Sequence, residues 1–320
     1  MRIDLPRRPG RAGSLLVITL WLVTILSALA IAIGRFLSLE VKLTKYRLQR
    51  EQASVLARSG VYLAMRRLQL DAQQPGAVDW LGDTWALPWD DVAVGKNRIR
   101  IVSIIDEERK LNLNAVDMLQ LPSELASLIG TGPVASTLVD YLNPTPPPGG
   151  LPPSTPYLLK SGPVAALEEF LDLPGVSDVF PRLRQLTSAL PRAAPPPKVN
   201  INTVERDVLV ALGGTPAVVD ALIASRPGLT DGKFGTADDC YLTRFTDVNQ
   251  AAHDLSACSQ IPPALLIPLL SLPTATFVVN SSTFRIQVEG VVGPQQIRHH
   301  IEAVVQRTPH GEQIVAWKDG

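Results

Sequence analysis

The sequence predicts an α+β protein in which one long N-terminal helix packs on an antiparallel sheet and a large helical subdomain is inserted between the strands of that sheet. Three observations support this prediction. An apolar run over residues 14–34 continues into a charged helical pattern with no Pro or Gly until Gly60. Alternating patterns typical of strands occur at residues 97–106 and again after Pro273. Between these strands lie short apolar helical segments separated by Pro and Gly.

The apolar run predicts a transmembrane helix. As a helix rising about 1.5 Å per residue, residues 14–34 are about 31 Å long, which is enough to cross the hydrocarbon core of a bilayer. Charge alone does not fix the orientation of this helix, because basic residues lie on both sides of it. They are Arg2, Arg7, Arg8 and Arg11 before the run, and Arg35, Lys42, Lys45, Arg47 and Arg50 after it.

Three interpretations of this N-terminus compete: a simple signal anchor, a cleaved secretory signal peptide and a type IV prepilin signal. The small residues around Ala30 and Ala32 fit cleavage by signal peptidase. However, the apolar region of a signal peptide is only about 7–15 residues long, and here the helical pattern continues past the site. A prepilin signal would end its basic leader at Gly13, be cleaved before Ser14 and keep the apolar helix.

Residues 11–21, RAGSLLVITLW, resemble the start of the type II secretion minor pseudopilin known as general secretion pathway protein K (GspK). The resemblance implies a type IV pilin-like fold, cleavage between Gly13 and Ser14 by prepilin peptidase, and methylation of the new amino terminus. Most pilins carry Glu as the fifth mature residue, whereas this chain carries Ile18 there. Lack of that Glu is a feature of K pseudopilins, which lie at the filament tip, where no subunit ahead has an amine to neutralise.

Two further segments carry the same resemblance. The acidic turn at residues 106–108 leads into Asn112-Leu113-Asn114, and the closing strands begin with Ser-Ser-Thr-Phe-Arg at residues 281–285. The Asn-x-Asn phrase returns at residues 200–202, which indicates a weak internal repeat. In each copy the second Asn precedes an acid by three residues, so we predict that Asn114 and Asn202 are helix N-caps with Asp117 and Glu205 as partners.

The predicted organisation has five parts. They are a leader over residues 1–13, a transmembrane helix over 14–34, an amphipathic helix with the first sheet strands over 35–110, the inserted helical subdomain over 111–272, and closing strands over 273–320. Within the subdomain, helices are predicted over residues 122–129, 133–142, 164–171, 179–190, 208–212 and 216–225, with a proline-rich connector at 143–156.

The soluble half of the long helix carries an apolar stripe. Val41, Leu48, Val55 and Tyr62 recur every seven residues. We expect the later half of this stripe to pack on the protein's own sheet. The earlier half is more basic and is a candidate for packing against neighbouring stalks.

One loop suggests metal chemistry. Asp231, Asp238 and Asp239 offer carboxylate oxygens, and two Gly residues allow tight turns that aim carbonyl groups inward. The segment resembles the Gly-Thr-x-Asp-Asp calcium loop of the major pseudopilin, and K pseudopilins bind calcium, so the resemblance implies a calcium site here. The alternative is a solvated acidic turn. Where many relatives have an acidic stretch after the first Asn-x-Asn helix, this chain has a Pro run, which argues against a site at that location.

The chain has only two cysteines, Cys240 and Cys258. They are too few for a metal cluster, and they fit one disulfide in an oxidising compartment, with two buried free thiols as the alternative. A disulfide would hold the far end of the acidic loop beside the next helix pair.

The Leu-x-Gly-Val type of turn between short helices also resembles the helix-hairpin-helix modules that bind the DNA backbone. Such modules need basic residues near the second helix to neutralise phosphate. Here the turns are followed by Asp178 and Asp220. A membrane-anchored DNA-binding protein is therefore the rival function from another class, and a structural use of the hairpins is preferred.

Composition points away from nucleic acid and catalysis. The chain of 320 residues has 30 Lys and Arg against 30 Asp and Glu, so it carries no overall charge that would attract a polyanion. Its four His residues show no metal-ligand spacing, and neither a nucleophile elbow nor a phosphate-binding loop is present. We predict that the protein is not an enzyme.

The resemblance to GspK implies a role in assembly. The protein would cap the periplasmic tip of a type II secretion pseudopilus, with its membrane helix in the bacterial inner membrane and its head in the periplasm. The implied partners are the I-type and J-type minor pseudopilins, the major pseudopilin, prepilin peptidase and the inner-membrane assembly platform. A minor pilin of a type IV pilus is the alternative within this class.

Overall fold

The computed structural model describes residues 12–74, 76–116, 121–130, 132–142, 160, 162–190, 196–309 and 311–320. Most of the predicted leader, the proline-rich connector and Asp117 lie outside these residues. The elements in chain order are α1 (Ala12–Ala72), β1 (Val92–Val94), β2 (Asn97–Asp106), a 3-10 helix (Glu107–Arg109), β3 (Leu111–Asn112), α2 (Leu121–Ile129), α3 (Gly132–Leu142), a second 3-10 helix (Leu167–Asp172), α4 (Val176–Leu186), β4 (Thr187–Ser188), β5 (Lys198–Asn200), α5 (Arg206–Ala211), α6 (Pro216–Ser225), α7 (Val248–Ser259), α8 (Pro263–Leu270), β6 (Thr276–Val278), β7 (Thr283–Val292), β8 (Ile297–Thr308) and β9 (Gly311–Asp319).

Helix α1 runs for 61 residues without a break. Its N-terminal part is apolar and fully exposed, and it is long enough to cross a membrane. Its C-terminal part packs on a five-stranded antiparallel sheet with the strand order β1-β2-β7-β8-β9. The predicted long helix, the strand at residues 97–106 and the closing strands after Pro273 are therefore confirmed.

Small residues make the contact between α1 and the sheet. Ala53, Ala57, Val61, Ala64 and Leu68 are fully buried and face isoleucines and valines of β2, β7 and β8. Gly290 on β7 lies so close to the helix that an added Cβ would overlap the Ala53 carbonyl oxygen and lie 2.8 Å from the Ala57 nitrogen. The helix backbone therefore rests directly on the strand.

The prediction for the apolar stripe is wrong in its later half. Val55 and Tyr62 are each 61% exposed, and Val41 and Leu48 are exposed as well. The physical reason is the close approach at Gly290, which brings the helix backbone at Ala53 and Ala57 against β7. That contact buries the helix face of Ala53, Ala57 and Val61, so the side chains of Val55 and Tyr62 point away from the sheet.

The helical subdomain lies between β2 and β7 in the chain, as predicted, and it has two halves of similar design. Each half opens on a short strand and closes on another strand that pairs with it in parallel. In the first half Asn112 pairs with Ser188, and in the second Asn200 pairs with Val278. The internal repeat in the sequence is thus a repeat of a structural unit.

Helix boundaries inside the subdomain differ from prediction in three places. The segment predicted as a helix at 164–171 is the second 3-10 helix. Helix α4 starts at Val176, directly after Gly175 with φ 75°, and gives way to β4 before residue 190. Helices α7 and α8 were predicted only as a helix pair after the acidic loop, without bounds, because α7 has a weak apolar pattern and α8 contains Pro268. The prediction of a helix at 216–225 is confirmed.

Candidate functional site

The two Asn-x-Asn phrases have the same hydrogen-bond geometry. In each copy the first Asn accepts a hydrogen bond from the backbone N–H two residues on. Asn112 Oδ1 is 3.1 Å from Asn114 N, and Asn200 Oδ1 is 2.9 Å from Asn202 N. These contacts form tight turns in which the side chain imitates a backbone carbonyl.

The second Asn of each phrase joins a distant segment. Asn114 accepts from Val164 N at 2.7 Å and donates to Val164 O at 2.8 Å. Asn202 does the same with Leu242, at 2.8 and 2.9 Å. The prediction that these residues are helix N-caps is therefore wrong. Their amides pair instead with the backbone N–H and C=O of one distant residue, and the N-cap of α5 is Glu205.

The second phrase also anchors a buried polar junction between the sheet and the subdomain. Asp106, at the end of β2, accepts hydrogen bonds from Thr203 at 2.5 Å and Ser281 at 2.6 Å. Asn200 donates to Ser281 Oγ at 2.8 Å. Asp79 lies next to them, is 1% exposed and pairs with Arg307 at 2.8 Å. This junction ties together residues that are far apart in sequence.

Burial dominates the ionisation of these acids. It raises the pKa of Asp106 to about 7, with the nearby charge of Glu108 adding to the effect. Burial likewise raises the pKa of Asp83 to about 7 and that of Asp71 to about 6. Burial also raises the pKa of Glu302, but the hydrogen bond from Gln287 and the charge of Arg285 outweigh burial and lower this pKa to about 2.

These shifts predict a pH optimum for stability. A carboxyl whose pKa is raised in the folded state favours folding while protonated, so its contribution is lost between about pH 4 and pH 7. Glu302 acts oppositely, and its contribution is lost as the pH falls from about 4.5 towards 2. We expect the midpoint of thermal unfolding to be highest at about pH 4 and to fall towards about pH 8. The fall should be smaller in Asp83→Asn but unchanged in Asp90→Asn, an exposed change in the same loop.

A chain of ion pairs crosses from the subdomain to the sheet. Arg184 of α4 pairs with Glu302 of β8 at 2.8 Å, and Glu302 pairs with Arg285 at 2.5 Å. Arg285 then reaches the buried Glu107 at 2.7 Å, which also binds Lys110 at 2.9 Å. All of these residues except Lys110 line a cleft of about 540 Å³ between the first half of the subdomain and strand β9. Because each charged side chain contacts one of opposite sign, the network serves attachment.

The three predicted calcium ligands come together around Thr236. The Thr236 hydroxyl lies 2.9 Å from Asp238 Oδ1 and 3.4 Å from both Asp231 Oδ1 and Asp239 Oδ1. It also donates to the Lys233 carbonyl at 3.0 Å. The loop thus gathers carboxylate, hydroxyl and carbonyl oxygens, which are the donor types that Ca²⁺ prefers. The donor types suit the implied ion, but the three carboxylates do not all lie within 4.8 Å of one another, as those of Asp71, Asp79 and Asp83 do. Sequence reasoning missed Thr236, which lies between them.

This acidic loop is held at two points. Its far end carries the Cys240–Cys258 disulfide, with an S–S distance of 2.00 Å. Tyr241 then stacks on Trp80 at a ring separation of 4.1 Å and an interplanar angle of 11°. Trp80 belongs to the loop that follows α1. The acidic loop of the subdomain therefore directly contacts the core that is formed by α1, the loop after it and the five-stranded sheet.

A second acidic group lies within that core. Oxygens of Asp71, Asp79 and Asp83 lie within 4.8 Å of one another, which the sequence spacing did not reveal. Arg307 reaches Asp79 at 2.8 Å and Asp71 at 3.6 Å. Its guanidinium supplies the positive charge that this group needs.

The cations around the helix hairpins are engaged inside the protein. Arg182 pairs with Asp207 at 2.8 Å, and Arg206 pairs with Asp220 at 2.5 Å. Arg184 pairs with Glu302 at 2.8 Å. Phosphate binding by these hairpins would have to break such pairs, which disfavours the DNA-binding alternative.

Comparisons with known proteins show a similarity between this chain and a solved structure. No protein-family model and no curated protein matches the chain. A chain of a solved structure is similar over its whole length, with a TM-score of 0.62 and 20% sequence identity. The likeness covers 87% of this chain and 99% of that one. That structure is the GspK-GspI-GspJ complex of the type 2 secretion system from enterotoxigenic Escherichia coli. At this identity the likeness shows the fold, and the predicted α+β fold with a long N-terminal helix is confirmed.

Proposed function

We propose that this protein is a minor pseudopilin that caps the periplasmic tip of a type II secretion pseudopilus and acts in its assembly for export of folded proteins across the outer membrane. The observation that supports this most is one uninterrupted helix, apolar at its start and packed on a sheet at its end. The fold that contains this helix is similar to that of a chain in the GspK-GspI-GspJ complex.

The mechanism is assembly. The apolar half of α1 anchors the subunit in the inner membrane before assembly. Cleavage before Ser14 by prepilin peptidase then produces an N-terminus that can pack in a fibre. The inserted subdomain then blocks the addition of a subunit above it. The partners are the I-type and J-type minor pseudopilins, the major pseudopilin and the assembly platform. The Cys240–Cys258 disulfide suits a head located in the periplasm.

A structural role fits better than catalysis or nucleic-acid binding. In the described residues the buried acids and bases are joined in ion pairs and hydrogen bonds that hold the subdomain on the sheet. A minor pilin of a type IV pilus is the second candidate, because it would share the fold and the membrane helix. Purification of the protein with I-type and J-type pseudopilins from cells would favour the secretion system.

Calcium is part of this proposal. Asp231, Asp238 and Asp239 would hold the ion together with Thr236 and the Lys233 carbonyl. Bound calcium would neutralise the three carboxylates and fix the loop. The contacts of Thr236 and the stacking of Tyr241 on Trp80 support this role, because they place the acidic loop at the join between subdomain and core.

The mature N-terminus tests the proposed function. We expect mass spectrometry of the protein from its native membrane to show a chain that begins at Ser14 with a methylated amine. Gly13→Val should block cleavage and leave the leader attached, whereas Gly34→Ala, a change at an open position further along the helix, should be cleaved normally. A chain that begins after Ala30 or Ala32 would contradict the proposal, and so would an intact leader in the unaltered protein.

A further inference from the structure

The segment of α1 that follows the apolar run is strongly basic. Within sixteen residues it carries five cations and one acid, Glu40, and a second acid, Glu51, follows directly. The cations are Arg35, Lys42, Lys45, Arg47 and Arg50, and all five are exposed. No ion pair joins any of them to another residue that the structure describes.

Helix geometry sorts these charges into two faces. At about 100° per residue, Arg35, Lys42, Lys45 and Arg50 fall within about 140° of the helix circumference. Arg47 falls on the opposite side together with Glu40 and Glu51. The first four residues are the basic face of α1, from which both acids are absent.

The basic face lies below the head. Ala53 and Ala57, which pack on the sheet, share its side of the helix, because Lys42 precedes Ala53 by about three turns. The head ends near Gln49, whose side chain meets the turn at Gly293. Exposed Lys96 lies in the turn between β1 and β2, at the same end of the sheet. The basic face and Lys96 therefore border the space between the head and the membrane.

We propose that the basic face of α1 binds the anionic headgroups of phospholipids in the bilayer that the helix spans. This inference rests on the proposed membrane insertion. Cations on the translocated side of a membrane helix work against that orientation. Their concentration on one unpaired face is explained if that face has an anionic partner, and the adjacent membrane surface is the anionic partner nearest to it.

Distances along the helix define the geometry of this contact. Lys42 lies about 12 Å beyond Gly34, and Arg50 about 24 Å beyond it. The charge of a membrane surface is screened over about 8 Å at physiological salt. Arg35 and Lys42 therefore reach the headgroups of an upright helix, whereas Lys45 and Arg50 reach them when the helix leans towards its basic face. The contact made by Lys45 and Arg50 holds the head of the unassembled subunit near the bilayer and is lost when the helix stands upright in a fibre.

The experiment uses the full chain in nanodiscs of phosphatidylcholine with about 30% phosphatidylglycerol, a composition that supplies anionic headgroups. Native mass spectrometry then counts the lipids retained by the protein. We expect phosphatidylglycerol to be enriched about fivefold over its share of the bilayer, and the enrichment to vanish in about 0.5 M salt. The variant Lys42→Gln, Lys45→Gln, Arg50→Gln should show no enrichment. The control Arg58→Gln, Arg66→Gln, Arg244→Gln removes the same charge at exposed positions further from the membrane and should behave as the unaltered protein.

Three results would overturn the inference. They are equal retention of both lipids by the unaltered protein, enrichment that survives the triple substitution, and a second copy of the chain retained through the basic face in place of lipid. Failure of the chain to enter the nanodisc would instead contradict the proposed function, and it is recognised separately because no protein then elutes with the discs.

Discussion

Gly290→Ala should lower the free energy of unfolding by about 3 kcal/mol, at the upper end of the cost of overpacking a core. The new methyl group would overlap the Ala53 carbonyl oxygen and lie 2.8 Å from the Ala57 nitrogen. Both are backbone atoms of α1, so rotation of a side chain cannot relieve the clash. The helix must move away from β7 and lose contacts along the whole fully buried face of Ala57, Val61, Ala64 and Leu68.

Chemical denaturation of the detergent-solubilised full chain, followed by near-ultraviolet circular dichroism, measures this effect. Gly132→Ala is the matched control, because an added Cβ there meets no atom within 4 Å. Its free energy of unfolding should stay within about 0.5 kcal/mol of that of the unaltered protein. Gly60→Ala should have an intermediate effect, since the atoms that it meets belong to the Val288 and Ile99 side chains. Equal midpoints for Gly290→Ala and Gly132→Ala would contradict the close packing of α1 on β7.

The same contact shows why the sequence predicted the helix but not its buried face. The long α1 is evident from an apolar run and the absence of breakers, which are local properties. Which side of it is buried depends on a partner more than 200 residues away, at Gly290. Heptad spacing favoured the helix face of Val55 and Tyr62, whereas the close approach at Gly290 buries the face of Ala53 and Ala57. A Gly in an alternating strand is a signal of close backbone approach, and it could have corrected the choice.

The Asn-x-Asn phrases show a similar limit. Their recurrence could be predicted, and it marks a real structural repeat. Their role could not be predicted, because an Asn followed by an acid three residues on has the local form of an N-cap. In the fold the side-chain amide of Asn114 hydrogen-bonds to the backbone N–H and C=O of Val164, 50 residues away. The amide of Asn202 bonds in the same way to Leu242, 40 residues away.

The candidate metal loop was found because its ligands are close in sequence. Asp231, Asp238 and Asp239 occupy one turn-rich segment, so their meeting needs only local folding. Trp80 was invisible as its neighbour, because it belongs to another part of the chain. Local motifs therefore predict candidate ligands, and tertiary contacts determine what the loop is connected to.

That connection leads to the second large effect. Calcium should raise the midpoint of thermal unfolding, with a stabilisation of about 2.7 kcal/mol when its concentration is about one hundred times the dissociation constant. The physical reason is that the folded loop holds oxygens of Asp231, Asp238 and Asp239 around Thr236, whereas the unfolded chain does not present them together to an ion. Asp238→Asn should remove most of the response, because its Oδ1 makes the shortest contact to Thr236. Asp172→Asn, an exposed change elsewhere in the subdomain, should respond like the unaltered protein.

The stack on Trp80 provides a second readout of the same binding. Calcium that orders the loop should tighten the stack of Tyr241 on Trp80 and so change the fluorescence of Trp80. The variant Trp80→Phe should show no such fluorescence change but should keep the rise in unfolding midpoint. Magnesium should be a poor substitute, because it demands a near-ideal octahedral shell and this loop offers a flexible set of oxygens. A chain whose unfolding midpoint is the same in calcium and in chelator would show that the loop is a turn closed by Thr236 alone. A thermal response without a fluorescence change would show that the ion binds but that its effect stays within the loop.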